Sequence, residues 1–219
     1  MNLGGRPEAV QGPPISQQVQ QTLFGRVAPR QLNAEDFPDL AAILRALNKH
    51  RIKLATMHGD DEDEYRIVLA DDTIAMIDKD GTIFMGASFL YSCQREIEIP
   101  VGVLAHEMGH RPKRWKESRY QLHHELTQPE MQAICREEET RADIFAGKGL
   151  AELGYDCEPL IAFLRKVQTR PHPEYFPADV RAEVIREAHA GRMYRASQRK
   201  KLFKEYDRAT SARGHLGEG

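Results

Sequence analysis

One pentapeptide in this 219-residue sequence, His106-Glu107-Met108-Gly109-His110, sets the terms on which the rest must fold. Residues four apart on a helix share a face, so both imidazoles can reach one metal ion while Glu107 opens onto the same space. The preceding residues, Ile99 to Ala105, are apolar and suit a helix with Pro100 in its first turn. A surface helix with two incidental histidines would not be led by Val101, Val103 and Leu104, so this helix is expected inside the molecule. Gly102, Ala105 and Gly109 form a strip of small residues along which another element can come close. The spacing predicts a buried helix over about 99–111, and the missing ligand has to arrive from another element.

A catalytic zinc usually takes three protein ligands and keeps one position open for water. Glu139 in Glu139-Thr140-Arg141-Ala142-Asp143 is the best candidate for the third, because Asp143 falls on the same helical face four residues later. Its neighbours Glu137 and Glu138 bring no such partner into register. Ala142 and Ala146 flank that face and are small enough for two helices to close around a metal. Asp143 would then accept the free N–H of a ligand histidine and fix its tautomer. His123 and His124 share no helical face with His110. His172 lies between Pro171 and Pro173 in a stiff loop, and Arg181 follows on the next helix; rigid N–H or cationic donors are what an oxyanion needs. His50, His58, His189 and His215 have no accompanying pattern. Cys93, Cys135 and Cys157 are odd in number and widely spaced, which suits neither a disulfide framework nor a thiolate zinc site and fits a reducing compartment.

Around this centre the chain divides by composition. Residues 1–32 hold six glutamines and a single acid, Glu8, with few apolar residues, and read as a largely disordered arm. A core domain is expected over 33–190, and a basic helix and tail over 191–219, where eight basic residues between Arg192 and Arg213 face Glu205 and Asp207. Asp36 can cap a first amphipathic helix carrying Leu40, Ile43, Leu44 and Leu47. The acids Asp60 to Glu64 read as an exposed loop. Tyr65–Leu69, Thr73–Ile77 and Thr82–Met85 read as strands, with hairpin turns at Asp71-Asp72 and Asp80-Gly81, and hence as a small antiparallel sheet. Helices are expected over 116–126, 130–153 ending at Gly154, 157–168, and 178–190. The fold class is therefore α+β and mostly helical.

Bulk properties narrow the function. With 31 basic and 33 acidic side chains the net charge is −2, so electrostatics does not point to nucleic acid. The mean hydropathy of −0.58 and the lack of a long uncharged apolar run argue against membrane insertion, and the first 25 residues hold no signal-peptide core. The expected compartment is the cytoplasm, or the outside by a route without a cleaved signal peptide.

The segments Asp80–Gly86, Val103–His110 and Glu139–Gly147, with His172-Pro173 and Arg181, make roughly residues 65–190 resemble the M48-type gluzincin metallopeptidases (HtpX/Ste24/Oma1-like) in a soluble form. The resemblance implies a zincin fold and one zinc per chain. It also implies His106, His110 and Glu139 as ligands, Glu107 as general base, Asp143 orienting a ligand histidine, and His172 and Arg181 as the family's His-Pro and Arg element. ImmA/IrrE-type regulatory peptidases also pair this motif with a later Glu-x-x-Ala, but they usually show Asn where Asp143 stands. A module with a latent or structural zinc is the alternative of a different class. On the peptidase reading the partner is a peptide or protein substrate, and Glu107 takes a proton from water as it attacks the scissile carbonyl. The oxyanion would be held by His172, Tyr175 or Arg181, and the substrate would be laid as an extra strand along Ile83 to Ser88.

Overall fold

The computed structural model describes residues 14–117 and 125–191. In chain order these form α1 (Ile15–Phe24), two short 3-10 turns, α2 (Ala41–His58), β1 (Arg66–Ala70), β2 (Ala75–Ile77), β3 (Thr82–Gly86), α3 (Ala87–Ser92), α4 (Glu98–Gly109), α5 (Pro112–Glu117), α6 (Gln128–Leu153), α7 (Glu158–Val167) and α8 (Ala178–His189). The fold is α+β and mostly helical, with one small sheet before α4. No helix among the described residues is long and apolar enough to cross a membrane. The basic tail, His123-His124 and most of the expected 116–126 helix lie outside the described residues.

The sheet is mixed, which corrects the antiparallel expectation. Its order is β1-β3-β2, with β1 parallel to β3 from Arg66↔Thr82 to Ala70↔Gly86, and β2 antiparallel to it from Ala75↔Met85 to Ile77↔Ile83. The Asp80-Gly81 turn joins β2 to β3 as expected, but Asp71-Asp72 starts a crossing that leaves room for β3 between its neighbours. That crossing depends on Gly86, since a Cβ there would lie 1.7 Å from the Thr73 carbonyl oxygen. Buried on both faces, β3 is the central strand, as its unbroken Thr-Ile-Phe-Met-Gly run befits. Residues 30–32 cover the outer side of β1: Leu32 N–H donates to Leu69 and Asp71 N–H to Arg30. Among the described residues, the edge left without a paired strand is β2. Residues 74 and 78 pair with 86 and 82, so the main-chain groups of Ala75 and Ile77 face outward. An added substrate strand along Ile83–Ser88 is therefore ruled out by position, because β3 already has partners on both sides.

Residues 15–24 correct the disordered-arm expectation. Ile15, Val19 and Leu23 recur every fourth residue, and Val19 and Phe24 are buried in the folded chain. The glutamines supply tertiary bonds as well: Gln20 Nε2 donates to Trp115 O at 3.2 Å, and Gln18 Oε1 accepts Leu126 N–H at 2.9 Å. Residues 1–13 are outside the described part. Asn33, rather than Asp36, caps the first 3-10 turn, accepting the Glu35 N–H before the chain enters α2.

α4 is buried along almost its whole length, as its apolar approach demands, and packs chiefly against α6. α6 opens with a capping box between Thr127 and Glu130 and ends at Gly154 in the left-handed region. The two helices meet where the small residues lie. A Cβ on Gly109 would stand 2.7 Å from Ala142 Cα. One core joins Leu47 and Leu54 of α2, Ile83 and Met85 of β3, Leu104 and Met108 of α4, Leu150 of α6, Ile161 of α7 and Ile185 of α8.

Candidate metal centre

The close approach of α4 and α6 brings His106, His110 and Glu139 together, with one potential donor atom from each inside a 4.8 Å span. His106 Nε2 lies 3.3 Å from Glu139 Oε2, and His110 Nε2 lies 3.7 Å from Oε1. Among the described residues, Glu139 Oε2 has no hydrogen-bond partner although it is buried. A buried carboxylate oxygen without a donor is costly, and beside two imidazoles it is a ready metal ligand. The residues present fit a divalent cation.

The neighbouring glutamates are accounted for elsewhere. Glu138 is buried but takes Arg114, the Trp115 indole N–H at 3.2 Å and Arg141 at 2.6 Å, while Glu137 is exposed near Arg141. Asp143, one turn beyond Glu139, lies 3.0 Å from His106 Nδ1, which turns the other ring nitrogen toward Glu139. It also receives a two-point bond from Arg181, Nε to Oδ2 at 2.8 Å and Nη2 to Oδ1 at 2.9 Å. Arg181 Nη1 reaches Gln168 Oε1 at 3.3 Å. Arg181 therefore does enter the cleft, where three of its five N–H groups go to Asp143 and Gln168, so its principal contact is with the carboxylate that bonds His106.

His172 is not brought to the site. It is exposed, its Nδ1 accepts the Glu174 N–H, and its ring packs edge-on to Tyr175 with centroids 4.8 Å apart. The prolines do stiffen the loop, but the side chain they present to the cleft is Tyr175. A cleft of about 190 Å³ is lined by the three donor residues, Glu107, Tyr175 and Arg181, by Ala75–Ile77 of β2, and by Leu23, Phe24 and Arg26 after and within α1. Arg26 bonds to the Tyr175 hydroxyl and sits 3.6 Å from Glu174. It had no sequence signal, because it lies in a segment whose composition suggested disorder.

Charge is sharply distributed here. Burial works against a charged His106, but the Asp143 and Glu139 carboxylates outweigh it and raise its pKa to about 10. Burial lowers His110 to about 4. Burial would also raise Asp143, yet Arg181 and His106 hold it at about 2; Glu139 is likewise kept below the ordinary carboxylate value by the two imidazoles and Arg181. Glu107, which belongs to no ion pair in the cluster, is pushed by burial up to about 7 while the Ile77 N–H of β2 donates to it. The site thus sets two ionised carboxylates, Glu139 and Asp143, against the His106 imidazolium and the Arg181 guanidinium, with the Glu107 carboxyl beside them raised to about 7.

A second set of contacts fixes the end of α4. Arg111 follows His110 at φ 44°, an uncommon conformation for a residue other than glycine. Its guanidinium grips Asp60 through Nε at 2.8 Å and Nη2 at 2.5 Å, and Asp60 also accepts the Tyr65 hydroxyl at 2.9 Å. Asp60 is buried, so the expected exposed acidic loop starts one residue later. His58 caps the same helix end, its ring stacked on Phe145 and its Nε2 3.1 Å from the Met108 carbonyl oxygen. Comparison with known proteins returns no match to a family model, to a curated relative or to a solved structure.

Proposed function

We propose that the chain is a zinc-dependent endopeptidase of the M48-like gluzincin kind, with a zincin fold and one zinc held by His106, His110 and Glu139. The observation that carries this reading is the division of labour among buried groups. Three donors converge, no fourth joins them among the described residues, and Glu107 stands beside them without being one. A three-donor set suits a catalytic site better than a closed structural one. Zinc, when bound, would supply Lewis acidity, polarising a peptide carbonyl and acidifying water.

The chain's own groups do the rest. Glu107, with a pKa near neutrality, accepts the proton from the attacking water and delivers it to the leaving amine. Tyr175 remains a phenol, since burial and the nearby Glu139 raise its pKa, and its hydroxyl is the donor best placed to meet the oxyanion. Arg26 donates to the phenol oxygen and so aims the hydroxyl hydrogen elsewhere. The Asp143–Arg181 pair keeps His106 in one tautomer. Substrate main chain would bond to Ala75 on the edge of β2, beside Glu107. Digestion of an unbiased peptide mixture by the zinc-loaded chain tests the proposal, with zinc-loaded Glu107→Gln as the control. Cleavage by the first and at least ~10²-fold less by the second is expected. A zinc-loaded chain that cuts nothing would favour a latent or structural site, and activity surviving in Glu107→Gln would refute the mechanism.

A further inference from the structure

The two histidines of the metal centre are held in different ways. His106 has its Nδ1 3.0 Å from Asp143, and Asp143 is itself gripped by Arg181. His110 has nothing comparable among the described residues: its Nδ1 is buried and has no hydrogen-bond partner there. Its ring is flanked edge-on by His106 and Phe24, with centroids 5.0 and 6.4 Å away. Such packing confines the ring without choosing which nitrogen faces the other donors. Ligand histidines ordinarily take their orientation from an acceptor on the second nitrogen. For His110 the orientation has to come from the main chain that carries it.

That main chain is weakly determined by its own residues. Gly109, the last residue of α4, has no side chain to restrict it, and Arg111 on the other side of His110 stands at φ 44°. The N–H groups of His110 and Arg111 reach back only three residues, to the carbonyls of Glu107 and Met108. Left to itself an arginine would leave the left-handed region, and His110 would turn with it. What keeps Arg111 there lies 51 residues away in sequence: the two Asp60 oxygens receive its guanidinium at 2.8 and 2.5 Å. Asp60 is a firm anchor. Its side chain is 1% exposed, it accepts the Tyr65 hydroxyl, and its own N–H bonds Ala55 just beyond the left-handed Gly59 that ends α2. His58 adds a further tie between the two helix ends through the Met108 carbonyl.

We propose that Asp60, acting through Arg111, is the positioning residue for His110, as Asp143 is for His106. One ligand is set at its ring and the other through its main chain. The proposal rests on the metal-centre part of the function proposed above and not on peptide hydrolysis. Two measurements on the full chain test it: competition for zinc with a chromophoric chelator, and the visible spectrum of the cobalt-substituted protein. Asp60→Asn keeps the size of the side chain but loses the ion pair, and Arg111→Gly removes the guanidinium while still suiting φ 44°. Each should weaken zinc binding by at least ~10-fold and shift the cobalt absorption bands. Because both break the same contact, the double variant should fall no more than ~3-fold below the weaker single. Leu47→Ala is the control, since it opens a cavity about three turns of α2 ahead of His58. It should lose stability yet keep parental affinity and spectrum. If Asp60→Asn fails to fold, Arg111→Gly alone decides. Parental affinity and spectrum in a folded clamp variant overturn the positioning role and leave the metal centre standing. An equal loss of affinity in Leu47→Ala also overturns it, by reducing the effect to stability. A parent that takes up no zinc removes the metal centre and the proposal together.

Discussion

Removing the Asp143 carboxylate should damage stability and metal binding by separable routes. Asp143 is 2% exposed at its side chain, Arg181 11%, and the carboxylate takes two guanidinium bonds plus the His106 contact. In Asp143→Ala the guanidinium is left buried, with Glu139 at 3.6 Å as its nearest remaining carboxylate. Stranding one member of a buried pair costs about 3–5 kcal/mol, whereas replacing both by apolar groups is often close to neutral. Asp143→Ala should therefore lose about 3–5 kcal/mol of unfolding free energy, and adding Arg181→Met should restore most of it. Metal affinity should behave differently. The single variant loses the acceptor that sets the His106 tautomer and frees Arg181 to compete for Glu139, so a loss of at least ~10–100-fold is expected. The double variant relieves the competition but not the missing acceptor, and should stay roughly 10-fold or more below the parent. Urea denaturation in chelator gives the stability of the metal-free chain, and competition with a chromophoric chelator gives the affinity. A single variant that loses less than about 1 kcal/mol, or a double variant with parental metal affinity, would refute the reasoning.

Gly109→Ala should cost about 1–3 kcal/mol and weaken metal binding, because the added methyl lands on the Ala142 backbone and pushes Glu139 away from the histidines; paired denaturation and metal titrations check this. Asp60→Asn should cost about 1–3 kcal/mol at neutral pH, less than a fully buried pair, since the Arg111 side chain is 29% exposed. Arg111 and the Tyr65 hydroxyl hold the Asp60 carboxylate below its usual range against the opposing effect of burial. Its contribution is therefore complete above an unfolded value of about 4 and is lost as pH falls through the lower native one. Denaturant midpoints of parent and variant should converge on acidification, and a constant gap down to pH about 2 would contradict the assignment.

Much of the centre could be read from residue order because it depends on helical period. His106, Glu107 and His110 share a face by spacing alone, and Glu139 was separable from Glu138 because only it brings Asp143 into register; the folded chain gives Glu138 to Arg114, Trp115 and Arg141. The sheet was legible as strands but not as an order. A four-residue link beginning Asp-Asp looks like a hairpin turn, and whether it instead spans a third strand is decided by the Thr73 carbonyl passing over Gly86. The continuous apolar run of β3 was the available clue to a central strand. For α1, composition misled: averaged over 1–32 the glutamines dominate, while the Ile15, Val19, Leu23 stripe needs a window of one helix to appear. His172 and Arg181 were singled out for being rigid and cationic, properties that say nothing of direction. The loop points Tyr175 into the cleft, and Arg181 turns three of its N–H groups to Asp143 and Gln168.

The central claim is that His106, His110 and Glu139 form one metal centre, and metal stoichiometry with ligand-swap variants tests it most directly. Full-length protein loaded with zinc and freed of excess should hold one equivalent, and the absorption edge structure should indicate nitrogen and oxygen donors only, with imidazole scattering. Glu139→Ala should lose the ion under the same conditions. Glu138→Ala, which breaks the Arg114–Trp115–Arg141 contacts but touches no donor, should lose stability and keep its zinc. A parent that holds no zinc, or a Glu139→Ala chain that retains a full equivalent while Glu138→Ala does not, would contradict the account.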